Sequence, residues 1–419
     1  MTAAVLRGDA RDLPLPDASV DLIVTSPPYF GLRSYTDGGE HYDGQIGSEA
    51  TPKEFLAALL DCTREWVRVL KPSGSIFVNL GDKYAGTQPG SYRRDTQPLR
   101  EYQRSQKSHE LTGQVQREAK DVDFGGHAPK SLLGLPWRYA IACTDQLGLI
   151  LRRDIIWNKP NGLPESVTDR CRSSHEYLFH LVKQPRYYAA VDEIREPHAA
   201  GSISRIRYAV HDTRGANRSR YDRDGVSENV ARDLNPLGKL PGSVWTIPSQ
   251  PLTVPARLGI DHFAAFPMEL PRRCILGWSP PGVCTGCGEG RRPVADTTLT
   301  HDRKGMRQQA AADAPRGGKQ NFAATTLGRE RFVTITGYAC ACPEPTAPVR
   351  PAVVADPFGG TGTTALVAAM YGRLGLSFDL SHDYSRLARW RTRDPAERAK
   401  AMQVPKPPPV LEGQDALFG

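Results

Sequence analysis

Five residues near the start of this chain, Thr25-Ser26-Pro27-Pro28-Tyr29, constrain it more than any other stretch. They follow Val20-Asp21-Leu22-Ile23-Val24, a short β-branched run bounded by turn formers, which reads as a buried parallel strand. Neither proline has an N–H to donate, so the ladder ends there. The chain is forced into a stiff, extended loop at the strand's carboxyl end, with Ser26 and Tyr29 at the two ends of that loop. In open α/β sheets ligands bind at this edge. The bland alternative is a strand-terminating turn with a surface tyrosine, and the rest of the chain has to decide between the two.

A chain of 419 residues is too long for one ordinary core, so two or three modules are expected. A formal net charge of +8 points to an acidic partner such as nucleic acid. Eight cysteines without a secretory leader suggest a reducing compartment, with metal binding or free thiols in place of a disulfide framework. No stretch approaches ~18 continuous apolar residues, so a soluble, cytoplasmic protein with no membrane partner is expected.

Taken in order, Val5-Leu6 before Gly8-Asp9 is a short strand ending in an acidic turn. After a polar Gly- and Tyr-rich loop, a helix starts with Thr51 as N-cap, Pro52 at N1 and Glu54 at N3, a capping box. Phe55, Leu59, Cys62, Trp66 and Val69 give it one buried face, and Lys71-Pro72-Ser73-Gly74 stops it before a strand at Ser75–Leu80. Strand, loop, helix, strand is the unit of a parallel α/β sheet. Residues 85–130, with Arg93, Arg94, Arg100, Arg104 and Lys107, read as an inserted loop, either a solvated linker or one that tracks DNA. A helix at Leu135–Leu147 and strands at Leu149–Trp157 and Glu176–Lys183 follow, the strands resembling an antiparallel pair that closes a seven-stranded sheet. Residues 193–245 carry Arg205, Arg207, Arg214, Arg218, Arg220, Arg223 and Arg232 in a polar setting, which suits phosphate or guanine contacts. A short helix runs through Leu270 and Ile275. Near the end come a strand at Val353-Val354-Ala355, a helix at Thr364–Gly372, a strand at Leu374–Phe378, a final helix at 382–394 and a Pro-rich tail.

The second motif is Asp356-Pro357-Phe358-Gly359-Gly360-Thr361-Gly362-Thr363-Thr364, between a strand and a helix. Glycines there let the backbone approach a ligand. No Lys precedes the last Ser/Thr, which excludes a Walker loop, and the glycine spacing departs from a dinucleotide fingerprint. A compact cofactor with one cationic centre and one ribose fits better, with Asp379 at the end of the next strand placed to accept from ribose hydroxyls.

Taken together, TSPPY and DPFGGTGTT resemble the S-adenosylmethionine-dependent DNA amino-methyltransferases in their permuted (beta) arrangement, where the catalytic loop precedes the cofactor loop. Gly8-Asp9, DIIWNKPNGLPES at 154–166, HEYLF at 175–179 and HFAAFPMEL at 262–270 agree with that family. The resemblance implies a Rossmann-like, mostly parallel, circularly permuted seven-stranded α/β sheet with polar inserts. Its parts would be a catalytic half at 1–84, the inserted loop at 85–130, a sheet-completing segment at 131–192 and an Arg-rich target-recognition region at 193–245. A cofactor-side helix segment at 246–283, a Cys-pair element with a disordered insert at 284–342, a cofactor-binding half at 343–400 and a disordered tail at 401–419 complete the layout.

By the same resemblance the Ser26 side chain and the Pro27 carbonyl accept from the target amino group, Pro28 stiffens the loop and Tyr29 stacks on a flipped-out base. Phe358, Gly360 and Gly362 would surround S-adenosylmethionine, with Asp356 and Thr363 in the same loop, Asp379 on the ribose, Asp9 near the adenine, and Phe266-Pro267 as a wall. Ser in place of Asp or Asn at position 26 is more typical of cytosine-N4 enzymes, with adenine-N6 as the alternative. The implied partners are duplex DNA, a cognate restriction endonuclease and a second copy of the chain. The implied setting is bacterial or phage-encoded and nucleoid-associated. A DNA-binding protein with vestigial catalysis, and an RNA or protein-glutamine methyltransferase, stay open as other readings.

Independently of the resemblance, Cys284-x-x-Cys287-Gly is a compact metal-binding knuckle, and Cys340-x-Cys342 offers two more ligands for a structural Cys₄ zinc site. Free buried thiols are the alternative.

Overall fold

The structure is a computed structural model that describes residues 2–31, 36–37, 40–41, 44–86, 124–162, 164–199, 235–260, 266–301, 329–342 and 347–406. The arginines and lysine singled out at 93–107, the arginines at 205–232, residues 262–265 of HFAAFPMEL and the tail from 407 lie outside these residues.

The expected strand–loop–helix–strand unit is present and founds the main sheet. Strand β1 is Ala3–Arg7, and β2 is Val20–Thr25, buried along its whole length as an interior parallel strand requires. Helix α1, Pro52–Val69, starts as expected: the Thr51 side chain accepts from Glu54 N–H, and Glu54 returns the bond to the Thr51 N–H. Strand β3 starts at Leu70 and runs to Leu80, so Lys71–Gly74 is not the loop that the proline and glycine suggested. The reason lies in the register, which passes from Val20 opposite Leu70 directly to Leu22 opposite Ser75. The intervening residues bulge out of the ladder, where Pro72 owes no hydrogen bond. Lys71 Nζ meets Asp21 Oδ1 at 2.5 Å, and Asp21 Oδ2 accepts from Val353 N–H at 2.9 Å, which ties the bulge to the next strand of the sheet.

Helix α2 is Leu135–Leu147, and β4 (Ile150–Asn158) pairs antiparallel with β5 (His175–Val182), as expected. A short strand β6, Val244–Thr246, lies parallel to β4 and makes the sheet eight-stranded where seven strands were expected. Helix α3 is Glu269–Trp278, β7 is Val353–Asp356, α4 is Thr363–Met370, β8 is Leu374–Asp379 and α5 is His382–Arg393. A further helix α6, Pro395–Ala401, was not expected, although Asp394-Pro395-x-Glu397 is a starting signal: the Asp394 side chain accepts from Glu397 N–H at 3.0 Å. The sheet order is β1-β8-β7-β2-β3-β5-β4-β6, parallel except where β5 pairs with its two neighbours.

Successive residues of β3 serve opposite faces. Ile76 and Val78 join the apolar cluster with Phe55, Leu59 and Trp66 of α1 and Tyr139 of α2. Phe77 points the other way, its ring 4.9 Å from Trp278 of α3 and stacked on His180 of β5 at 4.3 Å. Helices therefore cover both faces, as a largely parallel sheet needs. The ends of the 85–130 segment meet at this sheet: Ala85 N–H donates to Ser131 O at 2.8 Å and Lys130 N–H to Ala85 O at 2.9 Å.

Met1–Ala189, Gly242–Gly290 and Ala347–Gly419 form one compact unit, and Ala190–Pro241 with Arg291–Thr346 form a second. In the second, residues flanking 302–328 form an antiparallel hairpin, Arg292–His301 with Arg329–Ala339, where a featureless insert was expected. Its alternating β-branched residues (VADTTLTH, RFVTIT) are a strand signal. The Tyr338 hydroxyl donates to Glu193 Oε1 at 2.6 Å within the same unit. No helix among the described residues is long and apolar enough to cross a membrane.

Candidate active site

The carboxyl ends of β1, β2, β7 and β8 open onto one pocket, lined by Asp9, Ser26, Pro28, Phe358, Gly360 and Asp379 among others. Six of the residues singled out in the sequence are thus brought together. Asp379, closing β8, accepts from Gly360 N–H through Oδ2 (2.9 Å) and from Ser381 N–H through Oδ1 (2.8 Å). It fixes the glycine loop and the start of α5 while facing the pocket. Gly362 has a φ of +73°, and a Cβ there would stand 2.9 Å from the Ala388 Cβ of α5, so only glycine lets the loop lie flat against that helix. On the opposite wall Asp9 forms a bidentate pair with Arg11, which holds its carboxyl below the usual range.

Two residues expected in the cofactor site lie beneath it instead. Asp356 is buried; its oxygens accept from the Thr364 hydroxyl (2.8 Å) and Phe358 N–H (3.1 Å), and burial pushes its pKa up to about 6. Thr363 is also buried, and with Thr361 it accepts from Arg391 Nη1 of α5, at 2.6 and 2.7 Å. That guanidinium is 2% exposed and pairs with Glu397 at 2.8 Å, so an internal clamp holds the loop from below. Pro267 lines a different cavity, with Gln250, Glu269 and Arg272, and Phe266 beside it is half-buried. Trp66 escaped notice as a site residue. Its indole N–H donates to Ala10 O at 3.1 Å and its ring meets Phe358 edge-on at 5.9 Å, so one buried side chain sets two walls of the pocket. Arg11, Gln45 and Tyr384, further lining residues, were missed as well.

The catalytic loop sits where the prolines require. Pro27 is buried, while Ser26 and Tyr29 are half-exposed at its ends. Asn79 Nδ2 lies 3.4 Å from Ser26 Oγ and 2.7 Å from Tyr29 Oη, and the Tyr29 hydroxyl donates to Glu176 Oε2 at 2.7 Å. Asn79, Glu176 and the Lys159 that pairs with Glu176 had no assigned role in the sequence.

Cys284 and Cys287 belong to the first unit, on a tight turn in which Gly288 N–H donates to Cys284 O at 2.9 Å. Cys340 and Cys342 belong to the second unit, just past its hairpin. These four make up a group able to hold a metal ion among the described residues, and an all-thiolate donor set suits zinc.

The sequence pattern of the DNA methylases, the N6/N4 methyltransferases, matches residues 20–285. The Type II methyltransferase M.Cfr9I of Citrobacter freundii is 34% identical over 282 residues, 67% of this chain and 74% of that protein. The chain belongs to the DNA methylase family. Another relative, the Type II methyltransferase M.SmaI of Serratia marcescens, is 35% identical over 280 residues, 66% of this chain and 76% of that one. Among solved structures, the PvuII DNA methyltransferase (cytosine-N4-specific) shares the fold, with a TM-score of 0.50 and 16% identity over 96% of this chain and 91% of that one. A DNA methylase of this kind takes its methyl group from S-adenosylmethionine, and the pocket suits that molecule. Its floor is a flat glycine turn, a carboxylate stands at the end of β8, and an aromatic ring is fixed by Trp66.

Proposed function

We propose that this chain is a site-specific DNA methyltransferase that methylates the exocyclic N4 of a cytosine flipped out of duplex DNA. The observation that carries the proposal is that Ser26, on the stiff loop after β2, lines the same pocket as Asp9, Phe358, Gly360 and Asp379. Membership of the DNA methylase family and kinship to enzymes named Type II methyltransferases support it.

The target amino nitrogen is a poor nucleophile because its lone pair is delocalised into the ring. Acceptors at the Ser26 hydroxyl and the Pro27 carbonyl take its two protons in hydrogen bonds and localise that lone pair, while Tyr29 supplies a stacking face. Bound S-adenosylmethionine supplies an electrophilic methyl on a sulfonium. Asp379, with one lone-pair site committed to Gly360 N–H, keeps others for ribose hydroxyls, and Phe358 packs against the cofactor. Extrusion of the base gives the loop access to an amino group that stacking otherwise hides. Serine at position 26 favours cytosine over adenine, because a neutral hydroxyl is a weaker acceptor than the carboxylate typical of adenine enzymes. Cys284, Cys287, Cys340 and Cys342 hold a structural zinc in this reading, and a cognate restriction endonuclease is the partner that a Type II relationship suggests.

The test is transfer of labelled methyl from S-adenosylmethionine to duplex DNA by the wild-type protein and by Ser26→Ala. Wild-type transfer, with a large loss in Ser26→Ala and cofactor binding preserved, is expected. Transfer by neither protein would favour a vestigial, DNA-binding role. Loss of cofactor binding in Ser26→Ala would refute its role as amino-group acceptor.

A further inference from the structure

We propose that Glu176 is a positioning residue for methyl transfer, acting on Tyr29 directly and on Ser26 through Asn79. The proposal rests on the roles given to Ser26 and Tyr29 above. Four segments meet at one point of the sheet's carboxyl edge. Tyr29 closes the Pro-Pro loop after β2, Asn79 is the penultimate residue of β3, Glu176 is the second residue of β5, and Lys159 follows the last residue of β4. Because β5 runs antiparallel to β3 and β4, its amino end delivers a side chain to this edge. No spacing in the sequence announces that.

Glu176 Oε2 accepts from the Tyr29 hydroxyl at 2.7 Å and from Asn79 Nδ2 at 2.8 Å, while Oε1 forms an ion pair with Lys159 Nζ. Lys159 is itself held over the Trp157 ring, 4.1 Å from its centroid. The carboxylate is therefore anchored on its far side and spends its near oxygen on the catalytic floor. The Tyr29 ring is gripped along its side too, since a Cβ on Gly81 would stand 2.8 Å from Tyr29 Cε2. A ring seated on backbone and tethered at its tip has one plane in which to receive a base.

Hydrogen counting extends the effect to Ser26. The Asn79 amide has two hydrogens and three oxygens within reach, namely Glu176 Oε2, Tyr29 Oη and, at the longest distance of 3.4 Å, Ser26 Oγ. With a carboxylate on one side, Asn79 has to present its NH₂, because turning the amide over would set carbonyl against carboxylate. Ser26 therefore faces a donor, not a competing acceptor, and its link to Asn79 is the weakest of the three. It is the one that yields when a base amino group arrives. The arrangement leaves Asn79, 2% exposed, with a buried Oδ1 that has no hydrogen-bond partner among the described residues, a cost that stability alone does not select. Gln at 176 could keep its carbonyl toward Tyr29 and Asn79 only by turning its NH₂ onto the Lys159 ammonium, so one contact is lost either way.

The test uses the full chain carrying Glu176→Gln, Tyr29→Phe or both. Glu176→Gln is expected to lower the single-turnover rate of methyl transfer at least about tenfold, as small misplacements of reacting groups do. Melting temperature should hold, and the S-adenosylmethionine dissociation constant should stay within about twofold, because the tether lies outside the cofactor walls. Tyr29→Phe should cost a similar factor, and the double variant should be no slower than the slower single one, since both cut the same link. With 3-fluorotyrosine incorporated, the ¹⁹F resonance identified by its loss in Tyr29→Phe should move in Glu176→Gln. A wild-type rate in Glu176→Gln, independent losses in the double variant, or an unmoved resonance would overturn the role. Should Glu176→Gln not fold, Tyr29→Phe alone must show the rate loss with cofactor affinity intact, and a wild-type rate there would overturn it equally. A wild-type protein that transfers no methyl to any DNA would refute the function proposed above and this role with it. A wild type that transfers while Glu176→Gln matches it would refute this role alone.

Discussion

Asp356→Asn isolates the electrostatic cost of seating the cofactor loop. Asp356 closes β7 at 1% exposure, with both oxygens used inside the fold. Burial, opposed in part by those hydrogen bonds, raises its pKa from 3.8 to about 6. A difference of about 2 units corresponds to about 3 kcal/mol at about 1.4 kcal/mol per unit. Since the folded-state pKa is the higher one, the folded protein holds the proton more tightly. This contribution is complete below the unfolded value of 3.8, declines as pH rises toward 6, and is absent above. Asn is nearly isosteric. Its carbonyl accepts from Phe358 N–H and its NH₂ donates to the Thr364 hydroxyl, whose hydrogen then goes to the Val24 carbonyl 3.2 Å away. His180 adds a slope of opposite sign in an overlapping range. It is buried beside Phe77, with its pKa lowered to about 3 by desolvation, so stability falls as pH drops below its ordinary 6.5. Both proteins carry His180, so their difference cancels it. Urea unfolding at steps between pH 4 and pH 7.5 should show Asp356→Asn gaining on the wild type by about 3 kcal/mol as pH rises through 6. A difference that does not change with pH would refute the argument.

Arg391→Met strands Glu397 inside the fold and releases Thr361 and Thr363, so it should cost about 3–5 kcal/mol in urea unfolding and weaken cofactor binding. Adding Glu397→Leu should recover most of the stability, and a loss under about 1 kcal/mol in the single variant would contradict the clamp. Gly362→Ala forces a side chain into a φ of +73° and against Ala388, and should weaken S-adenosylmethionine binding at least about tenfold by calorimetry. Unchanged affinity would show that the loop does not hold the cofactor. Elemental analysis of the purified protein should find one zinc per chain, lost in Cys284→Ser with Cys340→Ser, and no zinc would eliminate the Cys₄ site.

The residues legible in the sequence are those whose roles follow from local chain chemistry. The Pro-Pro pair ends β2, the capping box starts α1, and Gly362 needs a positive φ; each follows from the residues themselves. Asp379 was legible because a carboxylate closing a strand after a glycine loop has few other uses. Arg391 was half legible, since a 3.6-residue period puts it on the same face as buried Leu387 and Ala388, but its partners come from the cofactor loop and α6. Glu176 and Asn79 were silent. Their meeting depends on β5 running antiparallel between β3 and β4, a fact of sheet topology and not of spacing. Asp356 misled for a related reason: position in the motif suggested a ligand contact, whereas burial makes it an anchor beneath the loop. Pro72 misled because a bulge in the register let a strand begin where proline and glycine spell a stop.

The central claim is that Ser26 and the pocket it lines deliver a methyl group to cytosine N4. The most direct measurement is the nucleoside composition of duplex DNA after incubation with the wild-type protein and S-adenosylmethionine, resolved by chromatography and mass. N4-methylcytosine, absent when Ser26→Ala replaces the wild type, is the predicted product. N6-methyladenine in its place would contradict the reading of Ser26 as a cytosine signature, and unmodified DNA would contradict the activity itself.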